Sequence, residues 1–346
     1  MSCDICAPQE KGYTVCFSDK QDAQRLLSYF NSLPTENWKR IDPVNVWMIE
    51  SIFFDFMDYA EAHLGERHIV AALADVRKPL KYKTPLKPIA QFKQEREASW
   101  IDDVIQNESI ATHYQPIVSW TTGTLEIVGH ELLSRGLDNE GKIIPPFKMF
   151  EAAKIRNRTF SLDRACRITC VKNAEAVGDK LIFINFIPTA IYVPEHCLAT
   201  TIKLIEKLHI KPEQVVFEVV ETEQIEDVAH LKSILNYYRS HGFKYALDDV
   251  GVGYNDVEML SNMEPDFVKL AMEYTNGVSQ DAQKQHVAKS VLTIAHNMGA
   301  KALAEGVEQE EDLLYLADMG YDLFQGYYLG KPTATPATRI GENAVS

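Results

Sequence analysis

The sequence has no apolar run approaching the roughly 18 to 20 residues of a membrane-spanning helix. Its most apolar stretch, VWMIESIFFDFM, is broken by Glu50 and Asp55. The first residues, MSCDICAPQEKGY, lack the basic, apolar and small-residue succession of a secretory signal, so a cytoplasmic location is expected. Positive charge is scarce: 35 Lys and Arg stand against 49 Asp and Glu, a formal net charge of −14. Binding along a nucleic-acid backbone relies on basic patches, so bulk nucleic acid is not an expected partner. A phosphate handled by so acidic a chain needs positive charge from elsewhere, and divalent metal ions are the ready source. Cysteine is too sparse for a disulfide framework. Cys166 and Cys170 share the spacing of one helix face and read as small core residues. Cys3 and Cys6 form a lone C-x-x-C with no second pair and no His at ligand spacing, and read as idle thiols.

What is present suits two domains: 346 residues, 46% of them apolar, enough for a sizeable core. Residues 1–76 read as a small α/β domain, with strands in YTVCFS and HIVAALAD and helices in DAQRLLSYFNSL and VWMIESIFFDFMDYAEAHL. No chemistry-bearing constellation occurs there, and its role stays open, a sensory or regulatory one being the candidate. Residues 77–96, which open with RKPLKYKTPLKP, read as a Pro/Lys-rich linker. From 97 to 335 eight short apolar runs follow: THYQPIV, LEIVGHELLSR, KLIFINF, QVVFEVVE, FKYALDD, PDFVKL, AKALAEG and DLFQGYY. Helical stretches such as DVAHLKSILNYYRSHG separate several of them, as in repeated βα units. The expected fold is therefore a TIM-like (β/α)8 barrel preceded by the small α/β domain, with 336–346 as a C-terminal tail.

Polar residues recur at the C-terminal ends of those runs: Glu131, Asn185, Glu218, Asp248 with Asp249, Lys269, Glu305 and Gln325. In such a barrel these ends converge on one face. Any one of them alone is an ordinary solvated strand end, and Lys269 alone an ordinary snorkelling lysine; their recurrence at one topological position is not. Acids this close stay ionised only beside cations. An all-oxygen donor set suits Mg²⁺ or Mn²⁺. Asp248 could bridge two ions with Asp249 holding one of them, as in a two-metal phosphodiester clamp. The histidines, His113 and His130 among them, lack ligand spacing and read as packing or surface residues.

Residues 97 to 335 also resemble the EAL domain, the bacterial cyclic di-GMP phosphodiesterase family. The resemblance is carried, in order, by YQPIV, ELLSR, NFIP, FEVVE, DDVGVGY, DFVKL, AEGVE and QGYYLGKP. It implies hydrolysis of cyclic di-GMP to linear pGpG with two Mg²⁺ or Mn²⁺ ions. Glu131, Asn185, Glu218 and Asp248 would hold the first ion, and Asp248 and Asp249 the second, with Glu305 in its water shell. Lys269 would sit beside the attacking water. Gln115, Arg135 and Gln325 would contact substrate, and Glu221 and Glu308 would brace the surrounding loops. The resemblance leaves room for a homodimer through the barrel. The chain departs from the family pattern at Leu132, Ile187, Val252, Asn255 and Ala271, the last standing where an aspartate is usual. That loss touches the second ion and keeps a second reading open: an EAL-like module that binds cyclic di-GMP or a protein partner without turnover. A different cyclic dinucleotide is a further alternative.

Overall fold

The computed structural model describes residues 11–64, 69–121, 123–191, 193–219, 228–251 and 264–340. Cys3, Cys6, Glu221, Val252 and Asn255 lie outside the described residues. The chain divides into two compact units, Met1–Gln106 with Phe150–Arg158, and Asn107–Met149 with Thr159–Ser346.

The first unit is built on strand β1 (Gly12–Phe17), which pairs antiparallel with β3 (Asn45–Ile49) on one side and β4 (Ile69–Asp75) on the other. β2 (Trp38–Arg40) extends the sheet beyond β3, and β5 (Lys78–Tyr82) and β6 (Lys87–Pro88) both pair with β4. With helices before β2 and between β3 and β4, this is the split βαβ arrangement. The helix Glu50–His63 buries Ile52, Phe53, Phe56, Met57 and Ala60, one stripe at helical spacing. Those side chains meet Val15, Phe30 and Met48 in the core.

Residues 77–96, expected as a linker, are built into this unit. Pro79 and the lysines of β5 are edge-strand residues, where a missing N–H is tolerated and charge blunts further pairing. The Pro79 carbonyl accepts a 2.6 Å bond from the Thr14 hydroxyl. Phe92 is buried, its ring edge-on to Phe53 at 5.1 Å. Phe150–Arg158 also packs with this unit, although the sequence reading gave it to the barrel. Its anchor is Arg156, fully buried, with Nη1 donating to Glu50 at 2.9 Å and Nε to Asp102 at 3.0 Å.

The second unit is a closed barrel of eight strands: β7 (Ile110–Thr121), β8 (Thr124–Leu137), β10 (Leu181–Phe186), β11 (Val215–Val219), β12 (Lys244–Val250), β13 (Phe267–Leu270), β14 (Lys301–Ala304) and β15 (Leu323–Phe324). β9 (Ile143–Ile144) extends from β8, and pairing of β8 with β10 closes the ring. Seven strands are parallel, but β7 runs antiparallel to both β8 and β15. The run of βα units expected from the sequence is thus broken at its first step. A parallel crossover needs a dozen or more residues, whereas Thr121 and Thr124 are joined through Gly123 at φ +83°, leaving room only for a hairpin.

The barrel is plugged by Ile117, Phe183, Val216, Ala246, Phe267, Leu303 and Leu323, one residue from each of seven strands. On β8 the corresponding position is Gly129, where a Cβ would come within 2.9 Å of Leu181. Strand side chains alternate, so the next inward position lies two residues further along each parallel strand and two residues back along β7. Those positions are Asn185, Glu218, Asp248, Lys269, Glu305, Gln325, Glu131 and Gln115. An apolar floor and a polar layer above it follow from one two-residue step. Among the described residues no helix is long and apolar enough to cross a membrane.

Candidate active site at the C-terminal end of the barrel

Lys269 occupies the centre of the polar layer with 0% exposure. Its Nζ lies 2.6 Å from Glu218 Oε1, 3.0 Å from Asp248 Oδ1 and 3.8 Å from Glu131 Oε2, and also contacts Glu305. Burial works against the ammonium, yet Asp248, Glu131, Glu218 and Glu305 outweigh it and hold the lysine protonated, its pKa well above the ordinary value. Glu218, also 0% exposed, is pushed well above the usual carboxylate range by burial and by the charge of Glu131. The Lys269–Glu218 contact is close but misaligned for hydrogen bonding, and neither Glu218 oxygen receives a hydrogen bond.

Glu131 is held differently. Asn185 Nδ2 donates to its Oε1 and Gln325 Nε2 to its Oε2, each at 2.7 Å. Burial opposes its charge, but Lys269 and these two amides prevail and lower its pKa. Gln325 Nε2 also reaches Gln115 Oε1 at 3.2 Å, and Gln115 Nε2 lies 3.4 Å from the Gly330 carbonyl. Gln325, expected as a substrate contact, is 3% exposed; its Nε2 donates to Glu131 and Gln115, and its Oε1 has no hydrogen-bond partner.

Adjacent residues on a regular strand point to opposite faces, so Asp248 and Asp249 should not share a site. A bulge resolves this. Leu247 pairs with Val268 and Val250 with Leu270, leaving both aspartates opposite Lys269 alone. Asp249 takes up the extra residue at φ +52°. Bulges of this kind re-aim side chains, and carboxylate oxygens of Asp248, Asp249 and Glu305 come within 4.8 Å of one another. Burial first and Asp248 second raise the Asp249 pKa; burial and Asp248 likewise raise that of Glu305 well above the ordinary value.

The donors fit a hard divalent cation. They are carboxylates and one amide, with two buried Glu218 oxygens lacking hydrogen bonds and three further acids close enough to share an ion. Of the remaining expected residues, Arg135 is half-buried, its Nη1 on the Ser134 carbonyl at 2.9 Å. Glu308 is exposed at the rim, and Glu221 lies outside the described residues. Ala271 is buried one inward step beyond Lys269 and contributes no polar atom from its side chain. Sequence reasoning missed Asp163, whose carboxylate accepts the Ile187 N–H two residues after Asn185. An acid in the second turn of a helix carried no signal for that bond.

The EAL domain family matches residues 98–332 of the chain. The chain is 30% identical over 236 residues to PdeG of Escherichia coli K12, named a probable cyclic di-GMP phosphodiesterase; the match covers 66% of this chain and 45% of that protein. It is 28% identical to the EAL-domain protein YkuI of Bacillus subtilis 168, covering 67% and 58%. The chain thus spans about half the length of these curated relatives. Among solved structures, a standalone EAL protein of Vibrio cholerae O395 bound to c-di-GMP is 32% identical with a TM-score of 0.59, covering 68% of this chain and 98% of that one. A family match over more than half the chain, carried by the same barrel whose strand ends form the acidic site, makes this chain a member of the EAL domain family.

Proposed function

We propose that the barrel is a metal-dependent phosphodiesterase that opens cyclic di-GMP to linear pGpG. One observation carries the reading: four carboxylates close around Lys269 at one end of the barrel, Asn185 holds one of them, and the β12 bulge brings Asp249 beside Asp248. Glu131, Asn185, Glu218 and Asp248 would hold one Mg²⁺ or Mn²⁺ ion, and Asp248 and Asp249 a second, with Glu305 beside it. Bound ions supply a water of lowered pKa and offset charge on the phosphoryl oxygens.

The protein's own contribution is orientation and charge. Against its burial, Lys269 and then Gln325 and Asn185 keep Glu131 ionised, and the two amides fix its rotation. Lys269, held protonated by the acids around it, would balance their charge and position the attacking water. Arg135 and Gln115 would contact the substrate. The apolar floor from Ile117 to Leu323 closes the bottom of the site to solvent.

Ala271 favours a second reading, in which the site binds cyclic di-GMP without turning it over. Incubation with cyclic di-GMP and Mg²⁺ or Mn²⁺ separates the two. The proposed enzyme releases pGpG, seen by chromatography, and a sensor returns the ligand unchanged.

A further inference from the structure

We infer that Asp163 is a positioning residue for the metal site, acting through the backbone that carries Asn185; this rests on the ligand set proposed above. Asn185 is the penultimate residue of β10, and Ile187 is the first to leave it. β10 pairs with β11 as far as Phe186, so the Ile187 N–H has no ladder partner. Asp163 Oδ1, from the helix Thr159–Asn173, accepts that N–H at 2.9 Å. Pro188 follows, and a residue before proline is confined to extended backbone, which Ile187 adopts at φ −101°, ψ 112°. The peptide just beyond the ligand is therefore held from both sides.

Asp163 is itself fixed. Its Oδ2 receives Arg167 Nη1 at 2.7 Å, and Arg167 Nε reaches Thr201 Oγ1 at 3.2 Å. All three residues are buried. A lone buried ion pair is weak evidence for stability, since apolar replacements often do as well. This pair spends its second carboxylate oxygen on a peptide next to the site, which an apolar pair could not do. Partners that orient metal ligands govern affinity in this way, their loss costing about 10- to 100-fold.

Two double variants isolate the acceptor. Asp163→Leu/Arg167→Met and Asp163→Asn/Arg167→Met both remove the buried charges, and only the second can still accept the Ile187 N–H. Mn²⁺ alone is titrated into each folded protein by calorimetry, with Asn185→Ala as reference. The Leu variant should bind Mn²⁺ about tenfold more weakly than wild type, while the Asn variant stays within about twofold. In the proposed reaction, the KM for cyclic di-GMP should match in the two while kcat at subsaturating Mn²⁺ differs. Weakening in Asn185→Ala with equal Mn²⁺ affinity in the two double variants overturns this inference alone. No weakening in Asn185→Ala overturns the proposed ligand set and this inference with it.

Discussion

Gln325 and Asn185 grip opposite oxygens of Glu131, each with an amide N–H at 2.7 Å. A carboxylate gripped on both oxygens is oriented as well as charged, and it keeps lone pairs directed elsewhere. Replacing Gln325 with Leu removes one grip and leaves Glu131 free to rotate. Mn²⁺ affinity should fall about tenfold, as expected for loss of a ligand's hydrogen-bond partner. Titration calorimetry checks this; an unchanged affinity would show that Glu131 is oriented without Gln325.

Asp249 combines a positive φ with a neighbouring like charge. Asparagine tolerates the left-handed region, so Asp249→Asn keeps the bulge and removes only the charge. In EDTA the variant should melt above wild type, because Asp248 and Glu305 lose a repelling neighbour. In Mn²⁺ the order should reverse, since an ion that binds only the folded state stabilises it by about 2.7 kcal/mol at 100 times its Kd. Melts under the two conditions read both signs.

Ala271 lies buried one inward step beyond Lys269, where the resemblance implies an aspartate. Restoring the acid as Ala271→Asp should raise kcat about tenfold, or about 1.4 kcal/mol of barrier. Affinity for cyclic di-GMP in Ca²⁺ should change little, because orienting a water matters mainly in the transition state. A folded, Mn²⁺-binding variant with unchanged kcat would mean that the chain has adapted around the alanine.

The Arg156 cluster makes a pH prediction. Burial, and then the charge of Arg156, bring Lys11 down from 10.5 to about 8, although its Nζ donates to the Arg156 carbonyl at 3.0 Å. The folded pKa is the lower one, so the unfolded chain binds more protons between about pH 8 and 10.5 and the lysine's destabilising effect fades across that window. The difference in unfolding free energy between wild type and Lys11→Met should therefore shift toward wild type as pH rises from 8 to 10.5. Denaturant titrations at both ends measure it, and a pH-independent difference would contradict the assignment.

The polar layer was legible because it repeats one rule: an apolar residue, a step of two, a polar residue. Phe183 to Asn185, Val216 to Glu218 and Phe267 to Lys269 all carry that period. What was hidden depends on pairings that no single strand records. The β7–β8 hairpin keeps Gln115 opposite Glu131, but only the shortness of the turn betrays that β7 is reversed. The β12 bulge is a mismatch between two strands, invisible in either alone. RKPLKYKTPLKP misled because proline and lysine serve an edge strand as readily as a linker. Arg156 gave no signal because its carboxylate partners, Glu50 and Asp102, are remote in sequence.

In the proposed reaction these acids, gathered around Lys269, hold ions that cleave a phosphodiester. The direct measurement is single-turnover chromatography of cyclic di-GMP with the purified protein in Mn²⁺, in Ca²⁺, and with Glu131→Ala. Ca²⁺ is larger and coordinates more loosely than Mg²⁺, and should support binding with little turnover. Wild type should release pGpG in Mn²⁺, and Glu131→Ala none. Cyclic di-GMP bound by wild type in Ca²⁺ yet recovered intact from Mn²⁺ would contradict the proposed reaction.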